Sequence, residues 1–116
     1  MGRPPRFYIK NIGSPFYTMN FKTSQGFGNA YVKTSEYQDG NLAVVLVDDF
    51  GQPLGKLSVN LPDNAHLLGK NQFFAKTYNE NEIIAKDALE SGLFKQTKTI
   101  VKSGFVECPI WEIVVP

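Results

Sequence analysis

Hydrophobic and polar residues alternate along much of the chain with a period of two, which indicates β-strands. Residues 16–22 alternate in this way and predict a half-buried strand. In residues 54–61 the apolar residues alternate from Leu57 onwards, so Ser58 is expected on the solvent face. Residues 41–48 contain the run LAVVLV, which predicts a central strand buried on both faces. Further strands are predicted over residues 6–12, 29–37, 71–77 and 105–115.

One segment has the apolar spacing of a helix. Asn79 or Asn81 is placed to cap its first turn, and the acidic Glu80 and Glu82 suit its positive end. Gly92 is placed to end the helix in the left-handed conformation. The predicted buried stripe consists of Ile83, Ile84, Ala88 and Leu89.

Several strands followed by one late helix predict an α+β fold. We expect a single antiparallel β-sheet of about five to six strands, with the helix packed on one face. Residues 96–102 fit either a strand or an exposed loop, and Pro109 is expected at a sheet edge or a bulge. All 116 residues are expected to form a single domain, with residues 1–5 frayed.

Composition and charge indicate a soluble, folded domain, with 42% hydrophobic and 20% charged residues. The net charge of +1 gives no global attraction to nucleic acid or to a membrane surface. The longest apolar run, residues 42–47, is far shorter than the roughly 20 residues that span a bilayer. The single cysteine, Cys108, cannot form an internal disulfide, which favours the reducing cytoplasm.

Asp49-Phe50-Gly51 matches the magnesium-binding loop of protein kinases. A kinase also requires a glycine-rich loop, a lysine-bearing strand and a catalytic Asp with its Asn, in a much larger chain. The chain contains none of these. Because the three residues lie between two predicted strands, we interpret them as part of a hairpin loop.

Cys108 and His66 form the one pair that offers a nucleophile and a base. They lie on unrelated segments, and Cys108 precedes a proline in an apolar strand, which favours a buried structural cysteine. The sequence also lacks the paired spacing of metal-binding Cys and His residues. The sequence therefore predicts a protein that is not an enzyme and that has no cofactor and no metal site. An enzyme with Cys108 as its nucleophile is kept as a third hypothesis, behind the two binding functions given below.

Residues 25–32, QGFGNAYV, partly match the RNA-stacking strand of an RRM. Gly26, Phe27 and Gly28 fit, but the flanking basic and aromatic positions do not, so a glycine turn into a strand is favoured. Basic residues also occur among aromatic ones near the N-terminus, and Lys95, Lys98 and Lys102 form a second basic stretch. Cations that protect a soluble edge strand explain both stretches.

Two segments carry longer motifs, NLAVVLVDDFGQPLGKLSVNLP at residues 41–62 and SGFVECPIWEI at residues 103–113. They resemble a family of small uncharacterised bacterial proteins carried on plasmids, conjugative elements and phages. That family has the motifs NLA-x-x-L, G-x-P-x-x-x-L-S-V-N-L-P and S-G-F-x-x-x-P-x-W-E. The resemblance covers about residues 30–116, and residues 76–79 depart from the family's Asp-Thr-Asn-Asn type of stretch.

The resemblance implies a protein that acts by binding one macromolecule, since the motifs are typical of fold determinants rather than catalysts. We therefore expect a non-enzymatic cytoplasmic binding protein from a mobile genetic element, with a protein partner and no membrane association. Inhibition of a host defence complex such as CRISPR–Cas falls within this expectation. The expected partner-binding residues are Arg3, Arg6, Phe7, Tyr8, Phe16 and Tyr17.

An alternative function is binding of RNA or single-stranded nucleic acid, in which charge and base stacking act together. Its expected residues are Arg6, Tyr8, Phe27 and Tyr31. The exposed edges of a small sheet also allow a homodimer.

Overall fold

The computed structural model describes residues 19–26 and 28–114 and has an α+β fold, as predicted. The strand predicted over residues 6–12 lies outside the described residues. The described strands are β1 (Asn20–Lys22), β2 (Asn29–Glu36), β3 (Leu42–Val47), β4 (Pro53–Lys56), β5 (Ser58–Val59), β6 (Gln72–Ala75), β7 (Phe94–Ser103) and β8 (Val106–Ile113). The helix α1 spans Glu82–Glu90, and short 3-10 helices span Pro62–Leu67 and Asn79–Asn81.

The strands form two antiparallel four-stranded sheets, so the prediction of a single sheet is wrong. The first sheet has the order β1-β2-β3-β4, and the second has the order β5-β6-β8-β7. The chain passes from the first sheet to the second at Leu57, inside the segment that was predicted as one strand. The Leu57 N–H donates to the Val44 carbonyl at 2.9 Å, and its carbonyl accepts from the Lys76 N–H at 2.8 Å. The chain therefore pairs with β3 before Leu57 and with the end of β6 after it.

Ser58 is buried rather than on the solvent face, which corrects the prediction from alternation. Its Oγ accepts from the Val44 N–H at 2.9 Å and lies 2.8 Å from the Tyr37 hydroxyl. These hydrogen bonds offset the cost of burying the hydroxyl. Ser58 therefore ties the start of the second sheet to β3 of the first.

The main core lies between the two sheets and α1, and it contains residues from all three. Ile84, Ala85 and Ala88 are the buried residues of α1, whereas Ile83, which was predicted in the stripe, is 48% exposed. Gly92 follows the helix with φ +84°, as predicted. In the described part of the chain, no helix is long and apolar enough to cross a membrane.

Asn81 lies at the start of α1, as predicted, but its side chain makes no capping hydrogen bond. Instead its Nδ2 donates to the Lys56 carbonyl at 2.5 Å and to the Lys76 carbonyl at 3.0 Å. Only 4% of Asn81 is exposed. The side chain thus holds together the end of β4, the segment after β6 and the start of the helix.

A second, smaller core covers the opposite face of the second sheet. It contains Phe74, Val101, Cys108 and Ile110, with partly buried residues such as Tyr78 and Leu68 packed against them. The face alternation of β8 explains this division, because Cys108 and Ile110 point away from Trp111 and Ile113.

Residues 96–102 lie in β7, which settles the choice between strand and loop in favour of a strand. The pairing of β7 with β8 is irregular between Gln96 and Ile100, where β7 bulges. Pro109 lies opposite Ile100, at the end of this bulge. Its expected position at an edge or a bulge is confirmed, and the bulge fits a residue that cannot donate to a ladder.

Candidate protein-binding surface

Cys108 has the geometry of a structural residue. It is fully buried, and burial raises the pKa of its thiol, which disfavours the reactive thiolate. Its hydrogen-bonding neighbour is the Tyr78 hydroxyl, whose pKa is also raised, chiefly by burial. His66 is exposed on the 3-10 helix at Pro62–Leu67. The two residues of the candidate nucleophile–base pair therefore lie in different environments, and the thiol does not reach solvent.

We expect Cys108 to make the protein less stable at alkaline pH. Below the unfolded thiol pKa of about 8.5, both states keep the proton and the stabilisation is complete. Above it, the unfolded state ionises while the folded state does not, so stability falls as pH rises toward the folded pKa. Urea unfolding between about pH 7 and 10 should therefore show a smaller decline for Cys108→Ala than for wild type. Equal declines would contradict the burial of the thiol.

Residues 19–26 and 28–114 contain no group of three or more His, Cys, Asp or Glu side chains that could hold a metal ion. Some of the acidic residues instead make local structural contacts. Asp87 Oδ2, for example, accepts from the N–H and hydroxyl of Ser24 at 2.8 and 2.9 Å. This contact joins α1 to the loop after β1.

Asp49-Phe50-Gly51 lies in the tight turn between β3 and β4, as the hairpin interpretation predicted. Asp48 organises the turn, because its Oδ1 accepts from the Phe50 N–H at 2.8 Å and the Gln52 N–H at 2.9 Å. Its backbone accepts from the Gly51 N–H at 3.0 Å and donates to the Gln52 carbonyl at 2.8 Å. Gly51 supplies the positive φ of +81° that the turn requires. The four hydrogen bonds fix the backbone on both sides of Phe50.

Phe50 is 87% exposed at the end of this fixed turn. An exposed aromatic side chain contributes little to folding stability, yet it can contribute strongly to binding affinity when it is buried at an interface. Because the turn is already ordered, binding through Phe50 costs little backbone entropy. The turn at residues 48–52, with Phe50 as its anchor, is therefore the candidate binding surface, which we call the Phe50 turn.

Gly28, directly before β2, lies close to the Phe50 turn. Gly28 lies so close to Asp49 that a Cβ on Gly28 would be 2.9 Å from Asp49 Oδ2. Gly28 also has φ +79°, so other residues would be strained there. The glycine of the RRM-like segment thus allows two loops to approach each other.

We expect Asp48→Ala to loosen the Phe50 turn without unfolding the domain. The substitution removes two side-chain hydrogen bonds at a partly exposed site, so the loss of unfolding free energy should be about 1–2 kcal/mol. Amide hydrogen exchange of Phe50 and Gln52 should accelerate, whereas exchange within β7 and β8 should not. Unchanged exchange at both amides would show that Asp48 does not organise the turn.

The partner-binding residues predicted from the sequence, Arg3, Arg6, Phe7, Tyr8, Phe16 and Tyr17, lie outside the described residues. Of the four residues assigned to nucleic-acid binding, Arg6, Tyr8 and Phe27 also lie outside them. Tyr31 is described and lies in β2 between the buried Ala30 and Val32, so its side chain is on the outer face of the first sheet. Tyr31 is therefore the one predicted binding residue that the described part of the chain contains, and it lies on the outer face of the first sheet.

The sequence interpretation missed two exposed aromatic residues, Phe50 and Phe105. It treated Phe50 as loop chemistry and Phe105 as an apolar residue of the last strand. Phe105 is fully exposed in the turn between β7 and β8, after Gly104 with φ +62°. In both cases the signal was an aromatic residue directly beside a turn glycine, where alternation no longer determines burial.

Comparison of the chain with protein-family models, with curated proteins and with solved structures finds no match.

Proposed function

We propose that this chain is a non-enzymatic binding protein, and that the Phe50 turn is its contact with a partner protein. The observation that carries the proposal is an 87%-exposed phenylalanine held by a turn with four internal hydrogen bonds. Exposed aromatic residues that are ordered before binding are typical interface anchors. The partner is expected to offer an apolar pocket of the size of a phenyl ring.

The finer proposal concerns the source and the target. The motif resemblance of residues 41–62 and 103–113 supports a cytoplasmic protein of a mobile genetic element, with a host defence protein such as a CRISPR effector as its target. The Phe50 turn lies inside the first of these motifs, at Asp49-Phe50-Gly51. The N-terminal residues Arg3, Arg6, Phe7, Tyr8, Phe16 and Tyr17 are proposed as a second part of the contact.

Affinity capture from a lysate of the native host, with mass spectrometry, tests the Phe50 turn. Wild type should enrich one protein complex, and Phe50→Ser should reduce its recovery by about tenfold or more, as expected for loss of a central aromatic anchor. Nuclease treatment should leave the recovery unchanged.

The matched control is Ile83→Ser, which removes an exposed apolar side chain from α1 instead. It should recover as much of the complex as wild type. Equal recovery with wild type and Phe50→Ser would refute the assignment of Phe50, and recovery that disappears with nuclease would favour nucleic acid. If a CRISPR effector is recovered, a cleavage assay with the purified effector tests inhibition directly.

A second candidate function is binding of single-stranded nucleic acid on the outer face of the first sheet. Lys33, Val45 and Lys56 form one row across three strands, and Asn20, Tyr31 and Val47 form the next. This face therefore combines an aromatic ring with two lysines. Such combinations bind single strands through base stacking and charge.

Salt dependence separates the two candidates. If the outer face binds an oligonucleotide, affinity should fall with rising salt, with a slope of roughly 0.7 per phosphate contacted. Tyr31→Ser should weaken binding through lost stacking, whereas Phe50→Ser should not. An affinity that does not change with salt, or no binding at low salt, would reject this candidate.

A further inference from the structure

The pairing of β7 with β8 continues past the point where β6 stops pairing with β8, at Ile110. We define this two-stranded end of the hairpin, residues 100–109, as the arm. The turn at its tip carries Phe105, which is fully exposed. Ile100, on the same arm, is 52% exposed. Two large apolar side chains on one extended hairpin mark the arm as an interaction surface that is distinct from the Phe50 turn.

A groove lies at the base of the arm, where its face meets α1. The groove has a volume of about 400 Å³, which is within the usual range of binding pockets. Its apolar lining consists of Ala85, Leu89, Ile100, Pro109 and Trp111. Glu82, Lys86 and Glu107 lie at the same groove and carry charges of both signs. A phenyl ring fits this lining in both size and chemistry.

Lys102 and Glu107 are directly paired across the arm, between its tip and its groove. Phe105, in the turn, and Pro109, in β8, are four positions apart in the sequence, which spans at most about 13 Å. Glu107 is halfway between them. A two-fold axis across the arm at the Lys102–Glu107 pair therefore places Phe105 of each copy over the groove of the other. Two lysines and two glutamates then surround the axis with no net charge.

Among the described strands β7 is at the edge of its sheet, and direct pairing through this edge is disfavoured. Lys95, Lys98 and Lys102 lie along that edge, and the bulge between Gln96 and Ile100 interrupts its regular ladder. Thr99 N–H is used within the bulge, because it donates to Thr97 Oγ1 at 3.2 Å. Lysines and bulges protect edges against pairing with another strand. The face of the arm that carries Ile100 and Glu107, rather than the edge of β7, is thus the surface open to association, since Val101 and Cys108 on the opposite face are buried in the second core.

We infer that the arm is a self-association surface, through which two copies of the chain form a symmetric dimer. Each copy inserts Phe105 into the arm groove of the other. A surface that contains a protruding side chain, a matching groove and both charge signs is self-complementary, as a two-fold interface requires. The dimer leaves the Phe50 turn of each copy to other partners.

Sedimentation velocity of the full chain over a range of concentrations tests this dimer. The mass of wild type should approach twice the chain mass of 13.0 kDa as the concentration rises. Phe105→Ser should weaken dimerisation by about tenfold or more, as expected for loss of an aromatic anchor. Because Phe105 is fully exposed in the monomer, its replacement should leave the urea midpoint unchanged at concentrations too low for the wild type to dimerise. Phe50→Ser is the matched control and should dimerise as wild type does.

A photoreactive benzoylphenylalanine at position 105 locates the contact. In a mixture of ¹⁵N-labelled and unlabelled copies, crosslinks between the two isotopes should map to α1 or to residues 107–111. Wild type that stays monomeric, a dimer that Phe105→Ser does not weaken, or crosslinks confined to other segments would overturn the inference. If the protein dimerises through Phe105 but Phe50→Ser captures as much partner as wild type, only the proposed function is refuted. If capture depends on Phe50 but the protein stays monomeric, only the dimer is refuted.

Discussion

Replacing Trp111 with alanine is expected to lower the unfolding free energy by about 3–5 kcal/mol, which is the largest effect that we expect from one substitution. Trp111 is 1% exposed, and its ring contacts Phe73 and Phe94 at centroid distances of 6.2 and 5.8 Å. Its Nε1 also donates to Gln96 Oε1 at 3.0 Å. The substitution leaves a cavity in the core, whereas the amide oxygen of the exposed Gln96 can bond to water instead. Whole domains are stable by only about 5–15 kcal/mol, so a loss of this size removes a large part of the total and raises the fraction of unfolded molecules.

Urea unfolding followed by far-ultraviolet circular dichroism measures this loss, since the substitution removes the single tryptophan of the chain. Trp111→Phe should lose less, because it keeps an aromatic ring in the core. Phe105→Ala, at a site that is fully exposed in the monomer, should lose almost nothing when both proteins are measured at a concentration where they are monomeric. A loss below about 1 kcal/mol for Trp111→Ala would contradict the central position of Trp111 in the core.

Asn81→Ala is expected to cost about 2–4 kcal/mol, the second-largest effect. The side chain donates to the carbonyls of Lys56 and Lys76 at a site that is 4% exposed. Removing the Asn81 amide deprives two carbonyl groups of a hydrogen-bond donor. Each unsatisfied carbonyl costs about 1–3 kcal/mol of unfolding free energy when it is buried. The three segments that meet there should separate more readily. Urea unfolding at neutral pH measures the difference.

Asn81→Asp separates this role from helix capping. Aspartate is a good N-cap residue, so a capping role would leave the stability unchanged or raise it. In the structure the carboxylate would instead face two carbonyl oxygens, so we expect a loss at least as large as that of Asn81→Ala. The loss should decrease at acidic pH, where the carboxyl group is protonated and can donate once. A variant as stable as wild type at neutral pH would refute the role in joining the segments.

Local patterns were sufficient to predict most of the elements. The run LAVVLV predicted β3 as a central strand, and it does lie between β2 and β4. However, the strand is not fully buried on both faces, since Val45 and Val47 on one face are only partly buried. Pro109 predicted a sheet edge or a bulge, because a residue without an N–H cannot donate in a regular ladder, and the structure has the bulge.

Long-range pairing decided what local patterns could not predict. Residues 54–61 alternate as one strand would, but the chain changes sheets at Leu57, whose backbone bonds to Val44 on one side and Lys76 on the other. Ser58 is buried because of the Tyr37 hydroxyl and the Val44 N–H, which lie elsewhere in the sequence. Alternation carries no information about such distant partners.

The candidate site was only partly visible in the sequence. Asp48, Gly51 and the flanking strands identified a turn. The glycine beside Phe50 signals that alternation no longer determines burial there, but it does not say whether the ring points into solvent or folds back onto a sheet. The exposure follows from the hydrogen bonds of Asp48, which fix the direction of the turn. The arm groove was equally hidden, because it joins α1 to residues of β7 and β8.

Photo-crosslinking from position 50 tests the central claim, that Phe50 is the anchor for a partner protein, most directly. A photoreactive benzoylphenylalanine in place of Phe50 should crosslink to one host protein in lysate, and excess wild type should compete whereas Phe50→Ser should not. The same group at position 83, on an exposed part of α1, should not label that protein. Equal labelling from both positions, or competition by Phe50→Ser as strong as by wild type, would contradict the claim.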